Sequence, residues 1–122
     1  TNRKRPFSTK DIISKIKKAK LLAMADCSNI EDAKKAVIEG ADIIGTTLSG
    51  YLEKQIKDNE KPDLNLVKKF KKLNCFVMAE GRYNSPELAK KAILAGADSV
   101  TIGSENTRID NITNWYVKAI KK

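Results

Sequence analysis

The residues of this chain that could do chemistry stand at the ends of short apolar runs. Phe76-Val-Met-Ala closes on Glu80, followed at once by Gly81 and Arg82. Leu21-Leu-Ala-Met-Ala closes on Asp26, the run through Ile43-Ile44-Gly45 closes on Thr46 and Thr47, and Ser99-Val-Thr-Ile closes on Gly103 and Ser104. A carboxylate at the end of a buried strand is a candidate for acid–base work. Glycine turns that lead into a helix leave backbone N–H groups free to face an anion, which suits Gly81, Gly103 and Ser104 to a phosphate. Arg108, at the start of the last helix, offers a planar fork for a bidentate contact. Thr46, Thr47 and Arg82 complete the set as candidate substrate contacts. The chain contains no histidine. That excludes Ser-His and Cys-His nucleophile systems and the usual zinc sites, so no metal is expected. Acid–base duty falls to Asp, Glu, Lys, Tyr or a thiol.

These side chains need a scaffold that brings strand ends together. Ser8-Thr-Lys-Asp11 opens a first helix as a weak capping box, with Ile12, Ile13 and Ile16 as its apolar stripe. The run ending at Asp26 reads as a buried strand. Ser28-Asn-Ile-Glu31 then starts a helix that Gly40 stops. A second strand covers Asp42 to Thr47, a polar loop with Gly50 and Tyr51 spans Leu48 to Lys61, and Pro62-Asp63 opens a helix carrying Leu64, Leu66, Val67 and Phe70. The third strand runs from Cys75 to Ala79, and Ser85-Pro86-Glu87 opens the next helix as cap, first position and first-turn acid. A fourth strand, Ser99 to Ile102, precedes a last helix over 109–121, with Ile112, Trp115, Tyr116, Val117 and Ile120 expected on its buried side.

An internal repeat supports this reading. Glu31-Asp-Ala-Lys-Lys-Ala36 through Gly40-Ala-Asp42 recurs as Glu87-Leu-Ala-Lys-Lys-Ala92 through Gly96-Ala-Asp98. The offset is two strand–helix units. Four apolar strands, each followed by a helix, predict an all-parallel sheet with helices outside. The simplest account is an α/β fold in which residues 1–122 form one partial domain, the last four units of a (β/α)8 barrel, with residues 1–8 as the loop entering it. A small doubly wound sheet is the alternative. A leading helix with no strand before it, and the lack of an initiator Met, fit a chain that begins in mid-pattern. In a barrel the strand C-termini share one mouth, which gathers Asp26, Thr46, Thr47, Glu80, Gly81, Arg82, Gly103 and Ser104.

Bulk composition narrows the partners. The net charge is +9, and the lysines are spread over every helix rather than gathered in one. A solvated surface with an anionic small substrate is therefore favoured over nucleic-acid binding. No apolar run reaches the ~20 residues of a membrane helix. Cys27 and Cys75 are expected as free thiols in a reducing cytoplasm.

Several of these stretches also resemble a known family. Leu22-Ala-Met-Ala-Asp26-Cys-Ser28, Ile44-Gly-Thr-Thr-Leu-Ser-Gly-Tyr51, Ala79-Glu-Gly-Arg-Tyr-Asn-Ser-Pro86 and Thr107-Arg108 are similar to the signature segments of N-acylglucosamine-6-phosphate 2-epimerases. Arg3-Lys-Arg-Pro6 resembles the family's segment after its fourth strand, so the likeness covers essentially the whole chain. It implies barrel units five to eight of an isomerase that converts N-acetylmannosamine 6-phosphate to N-acetylglucosamine 6-phosphate in sialic acid catabolism, without a cofactor. It further implies Glu80 as the catalytic carboxylate, Asp26 as a substrate contact, Arg108 as the phosphate-binding arginine, and Gly81, Gly103 and Ser104 as backbone phosphate contacts. The family's catalytic lysine lies on its third strand, outside this chain, so 122 residues alone are expected to be inactive. The sequence departs from the family pattern at Glu105-Asn106, where small or apolar residues are usual, and at Ile109, where proline is usual. A half-barrel exposes two sheet edges, which predicts pairing with the other half or a homodimer. Two further functions fit the residues: another phosphate-binding barrel enzyme, or a non-enzymatic basic half-barrel that binds phosphorylated ligands or nucleic acid.

Overall fold

The computed structural model of the protein describes residues 6–49 and 61–120. Arg3-Lys4-Arg5, and most of the polar loop with Gly50 and Tyr51, lie outside the described residues. Helices and strands alternate as the apolar runs require. The order is α1 (Thr9–Lys18), β1 (Met24–Asp26), α2 (Ile30–Ile38), β2 (Ile43–Gly45), α3 (Leu64–Lys71), β3 (Phe76–Ala79), α4 (Pro86–Leu94), β4 (Ser99–Val100), α5 (Ser104–Thr107) and α6 (Ile109–Ile120). The helix starts use their own side chains. Ser8 and Asp11 close a reciprocal capping box, Asn29 rather than Ser28 caps α2, Asp63 caps α3, and Ser85 caps α4 with Pro86 just inside. Gly40 and Gly96 end α2 and α4 at φ +100° and +108°, a conformation that strains any residue with a Cβ.

The four strands are all parallel and lie in the order β1-β2-β3-β4. This order decides between the two architectures. A doubly wound sheet reverses its order at a switch point, whereas a barrel wall adds each strand beside the last. The sheet is half of an α/β barrel wall, and the doubly wound alternative is set aside.

Strand alternation divides the wall into two faces. Ile44, Val77 and Ala79 point outward and are fully buried under Ala33 and Ala36 of α2, Leu66, Val67 and Phe70 of α3, and Ala92 of α4. This is the core. The opposite face carries Met24, Asp26, Gly45, Phe76, Met78 and Glu80. There Met24 and Phe76 remain about two-fifths exposed.

The sequence repeat has a physical counterpart at the end of the sheet away from the mouth. Asp42 accepts from the Ala23 N–H at 2.8 Å through Oδ2, while its own N–H donates to the Ala23 carbonyl at 2.9 Å. Lys17 from α1 pairs with the other carboxylate oxygen. Two units later Asp98 does the same: it accepts from the Val77 N–H at 2.9 Å, donates to the Val77 carbonyl at 2.9 Å, and pairs with Lys71 of α3 at 2.7 Å. The lysine's hydrogen bond, then the backbone amide, hold both carboxyls below the usual carboxylate range. The sign of the linkage follows. Stability from these groups is complete above the unfolded carboxylate value of about 3.9 and is lost as pH falls through the lower folded values. Urea unfolding between about pH 2.5 and 6 should therefore show an acid loss that is smaller in Asp98→Asn, which keeps an acceptor for Val77 but no titrating charge. An unchanged acid slope in that variant would show that the pair carries no linkage.

One expectation fails at the C-terminal end. Ile112, Trp115, Tyr116, Val117 and Ile120 were expected to be buried, but α6 buries no residue; Trp115 and Val117 are 39 % exposed, Tyr116 69 % and Ile120 77 %. The short helix α5, absent from the sequence reading, takes up the turn after β4, and a cavity of about 700 Å³ runs between α6 and the start of α4. The apolar stripe of α6 is real, but no following strand unit lies against it among the described residues. Among those residues no helix is long and apolar enough to cross a membrane.

Candidate active site

The mouth is built from β2 outward. Gly45 sits on the inner face, paired in register with Asp26 on one side and Met78 on the other. A Cβ at position 45 would lie 2.8 Å from Met24 Cε, 3.1 Å from Asp26 Oδ1 and 3.5 Å from Glu80 Oε1. Both carboxylates thus lean over the space that glycine leaves. Alternation then sends Thr46 outward and Thr47 inward. Thr47 donates to Glu80 Oε2 at 2.6 Å and lies 3.3 Å from Asp26 Oδ1. Asp26, Thr47 and Glu80 therefore form one contiguous polar group at the strand C-termini.

Thr46 is elsewhere. It is 2 % exposed, and its hydroxyl accepts from the Glu80 N–H and donates to the Glu80 carbonyl, both at 2.9 Å. Thr46 is expected from the sequence to contact substrate, but its side chain is on the helix side of the wall and binds the main chain just after β3. Arg82 takes a positive φ of 64° directly after Gly81 at +87°, and its guanidinium donates to the Ser49 carbonyl at 2.6 Å. Ser49 in turn donates to Asp63, the cap of α3, at 2.8 Å. Arg82 thus holds the base of the β2–α3 connection. Beside it Tyr83 is 2 % exposed, and burial pushes its phenol up to about 12.

The expected phosphate end lies at β4. Gly103 has open space where a Cβ would stand, and Ser104 begins α5. Arg108 presents its fork to the Asp110 carboxylate, with Nη2 at 2.7 Å and Nε at 3.3 Å. Cys27 is buried, and burial, with Asp32 and Asp26 nearby, pushes its thiol up to about 12, which makes it inert; both cysteines are free. Two positions escaped the sequence reading. Gly45 is one, although a glycine inside a strand marks a close approach by another group. Thr101 is the other: it continues the β3–β4 ladder through its N–H to Ala79 O, which sets it beside Glu80 on the inner face.

Comparison with known proteins fits this geometry. A family model described as "NanE: Putative N-acetylmannosamine-6-phosphate epimerase" matches residues 1–122. The chain belongs to the NanE family. Its curated relatives include a "Putative N-acetylmannosamine-6-phosphate 2-epimerase" of Haemophilus influenzae, 49 % identical over 121 residues, which are 99 % of this chain and 52 % of the relative. A protein of the same name from Salmonella arizonae is 51 % identical over 122 residues, 100 % of this chain and 52 % of its own length. Among solved structures, the N-acetylmannosamine-6-phosphate 2-epimerase from Clostridium perfringens superposes with a TM-score of 0.85 at 37 % identity, over 98 % of this chain and 53 % of that one. The FabK M276A mutant from Thermotoga maritima, at 18 % identity and a TM-score of 0.64 over 83 % of this chain and 34 % of its own, shares the fold alone. The chain spans about half the length of the curated relatives it matches.

Proposed function

We propose that this chain supplies the C-terminal half of an epimerase that interconverts N-acetylmannosamine 6-phosphate and N-acetylglucosamine 6-phosphate. The observation that carries the reading is the carboxylate pair at the mouth: Glu80, held by Thr47, faces the same space as Asp26. The carbon to be inverted, C2, is next to the C1 carbonyl of the open-chain sugar. Glu80 is one acid–base partner. One base takes the C2 proton, the C–H electrons form the C1–C2 double bond of an enolate with the charge on the C1 oxygen, and a second acid returns a proton to the opposite face of C2. The second group comes from the other half of the barrel, where the family resemblance puts a lysine. Asp26 contacts the sugar, and Gly81, Gly103, Ser104 and Arg108 face the 6-phosphate. This chemistry calls for no cofactor. It suits a cytoplasmic enzyme in the breakdown of sialic acids, paired with its N-terminal half or with a second barrel.

The test joins residues 1–122 to the preceding half of the Clostridium perfringens enzyme and supplies N-acetylmannosamine 6-phosphate in D2O. The expected product is N-acetylglucosamine 6-phosphate carrying solvent deuterium at C2. A folded chimera that gives no product overturns the reading.

A further inference from the structure

We infer that Gly45, Thr46 and Thr47 form a cradle that fixes Glu80 in its reactive pose, with Thr47 as a positioning residue rather than a substrate ligand. The inference rests on the reading of Glu80 as an acid–base group and assigns a task to its neighbours.

The cradle grips Glu80 at two levels. Thr46 holds the main chain: a single hydroxyl both accepts from the Glu80 N–H and donates to the Glu80 carbonyl, each at 2.9 Å. A hydroxyl has one proton, so Thr46 has none left for a ligand. Its own N–H donates to Met78 O at 3.2 Å, which ties the end of β2 to β3 just before Glu80. Thr47 holds the side chain. Its proton goes to Glu80 Oε2 at 2.6 Å, and the 3.3 Å contact to Asp26 Oδ1 competes for the same proton at longer range. The β-branched side chain restricts χ1, so the hydroxyl stays on target. Gly45 does the rest by having no side chain. Glu80 Oε1 lies 3.5 Å from where a Cβ would be, a point that Met24 Cε and Asp26 Oδ1 also approach, and carries no hydrogen bond among the described residues.

The two oxygens of Glu80 are therefore different. Oε2 is occupied by Thr47, and Oε1 faces the mouth with its lone pairs available. Oε1 is the atom that exchanges the proton with the sugar, and Thr47 selects it. A substrate hydroxyl that approaches Thr47 finds only an acceptor, because the donor is already committed.

The experiment uses the same chimera, with steady-state kinetics and thermal melts for each variant. Thr47→Val keeps the shape and removes the hydroxyl. It should lower kcat about 10- to 100-fold, the usual loss when a reacting group is misplaced, with KM within roughly threefold of the starting value. Thr47→Ser restores the hydroxyl and should recover most of kcat. Where Thr47→Val does not fold, Thr47→Ala is read in the same way. A raised KM with kcat intact makes Thr47 a substrate ligand and overturns the inference. So does an unchanged kcat, and so does a Thr47→Ser as slow as Thr47→Val. The two readings separate cleanly. An active Glu80→Gln removes the assignment of Glu80 itself, whereas an inactive Glu80→Gln beside a fast Thr47→Val removes only the cradle.

Discussion

On the proposed function, Glu80→Gln should lower the epimerase rate of the chimera by about 10²- to 10⁴-fold, the range a positioned acid–base group supplies. The substitution changes little else. Glutamine has the size of glutamate, and its carbonyl oxygen can still accept the Thr47 proton that now lies 2.6 Å from Oε2. The bonds from Thr46 involve only main-chain atoms of residue 80, so they survive too. What the amide lacks is an oxygen that can take a proton. The fall should therefore appear in kcat, with KM nearly constant and the melting temperature unmoved. Washout of the C2 hydrogen into solvent should fall in parallel. A variant that keeps washout but loses epimerisation would place Glu80 on the return step only. One that keeps both would leave Asp26 as the carboxylate to examine.

The second large effect concerns stability. Phe70 is fully buried on α3, between that helix and the outward face of the sheet, and Phe70→Ala should cost about 3–5 kcal/mol. Domains are stable by only about 5–15 kcal/mol, so this one truncation takes a large share. Trp115 offers the control. It is the larger side chain, yet it is 39 % exposed on a helix with no fully buried residue, so Trp115→Ala should cost clearly less than Phe70→Ala. Urea unfolding of both variants measures the difference. Equal losses would mean that α6 packs in solution more closely than its exposure indicates.

That contrast shows where the sequence is legible. Leu66, Val67 and Phe70 on one stripe, and Ile112, Trp115 and Tyr116 on another, look alike as patterns. A stripe records which face of a helix seeks cover. It does not record whether a neighbour is within reach, and for α6 none closes over it among the described residues. The strand ends were easier. Apolar runs that stop at Asp26 and Glu80 give both the strands and the carboxylates, because a charged group ends burial abruptly. Thr46 and Thr47 were indistinguishable as residue types. Only the pleat tells them apart, by sending one to the wall and the other to the mouth. Gly45 carries its own sign in the sequence: a strand glycine between Ile44 and Thr46 makes room for something. The repeat announced that Gly-Ala-Asp mattered twice, but not that each aspartate reaches back across the sheet to the preceding strand.

That backward reach acts as a registration pin. Asp42 binds Ala23, and Asp98 binds Val77, through both main-chain and side-chain atoms. Sliding β2 or β4 by a single residue would break every bond in the pin at once. Such a slip would also exchange the two faces of the strand. In β2, Ile44 would turn toward the lumen and Gly45 toward the core, and the room above Gly45 for Asp26 and Glu80 would close. The aspartates sit at the opposite end of the sheet from the chemistry, yet they set which atoms arrive there.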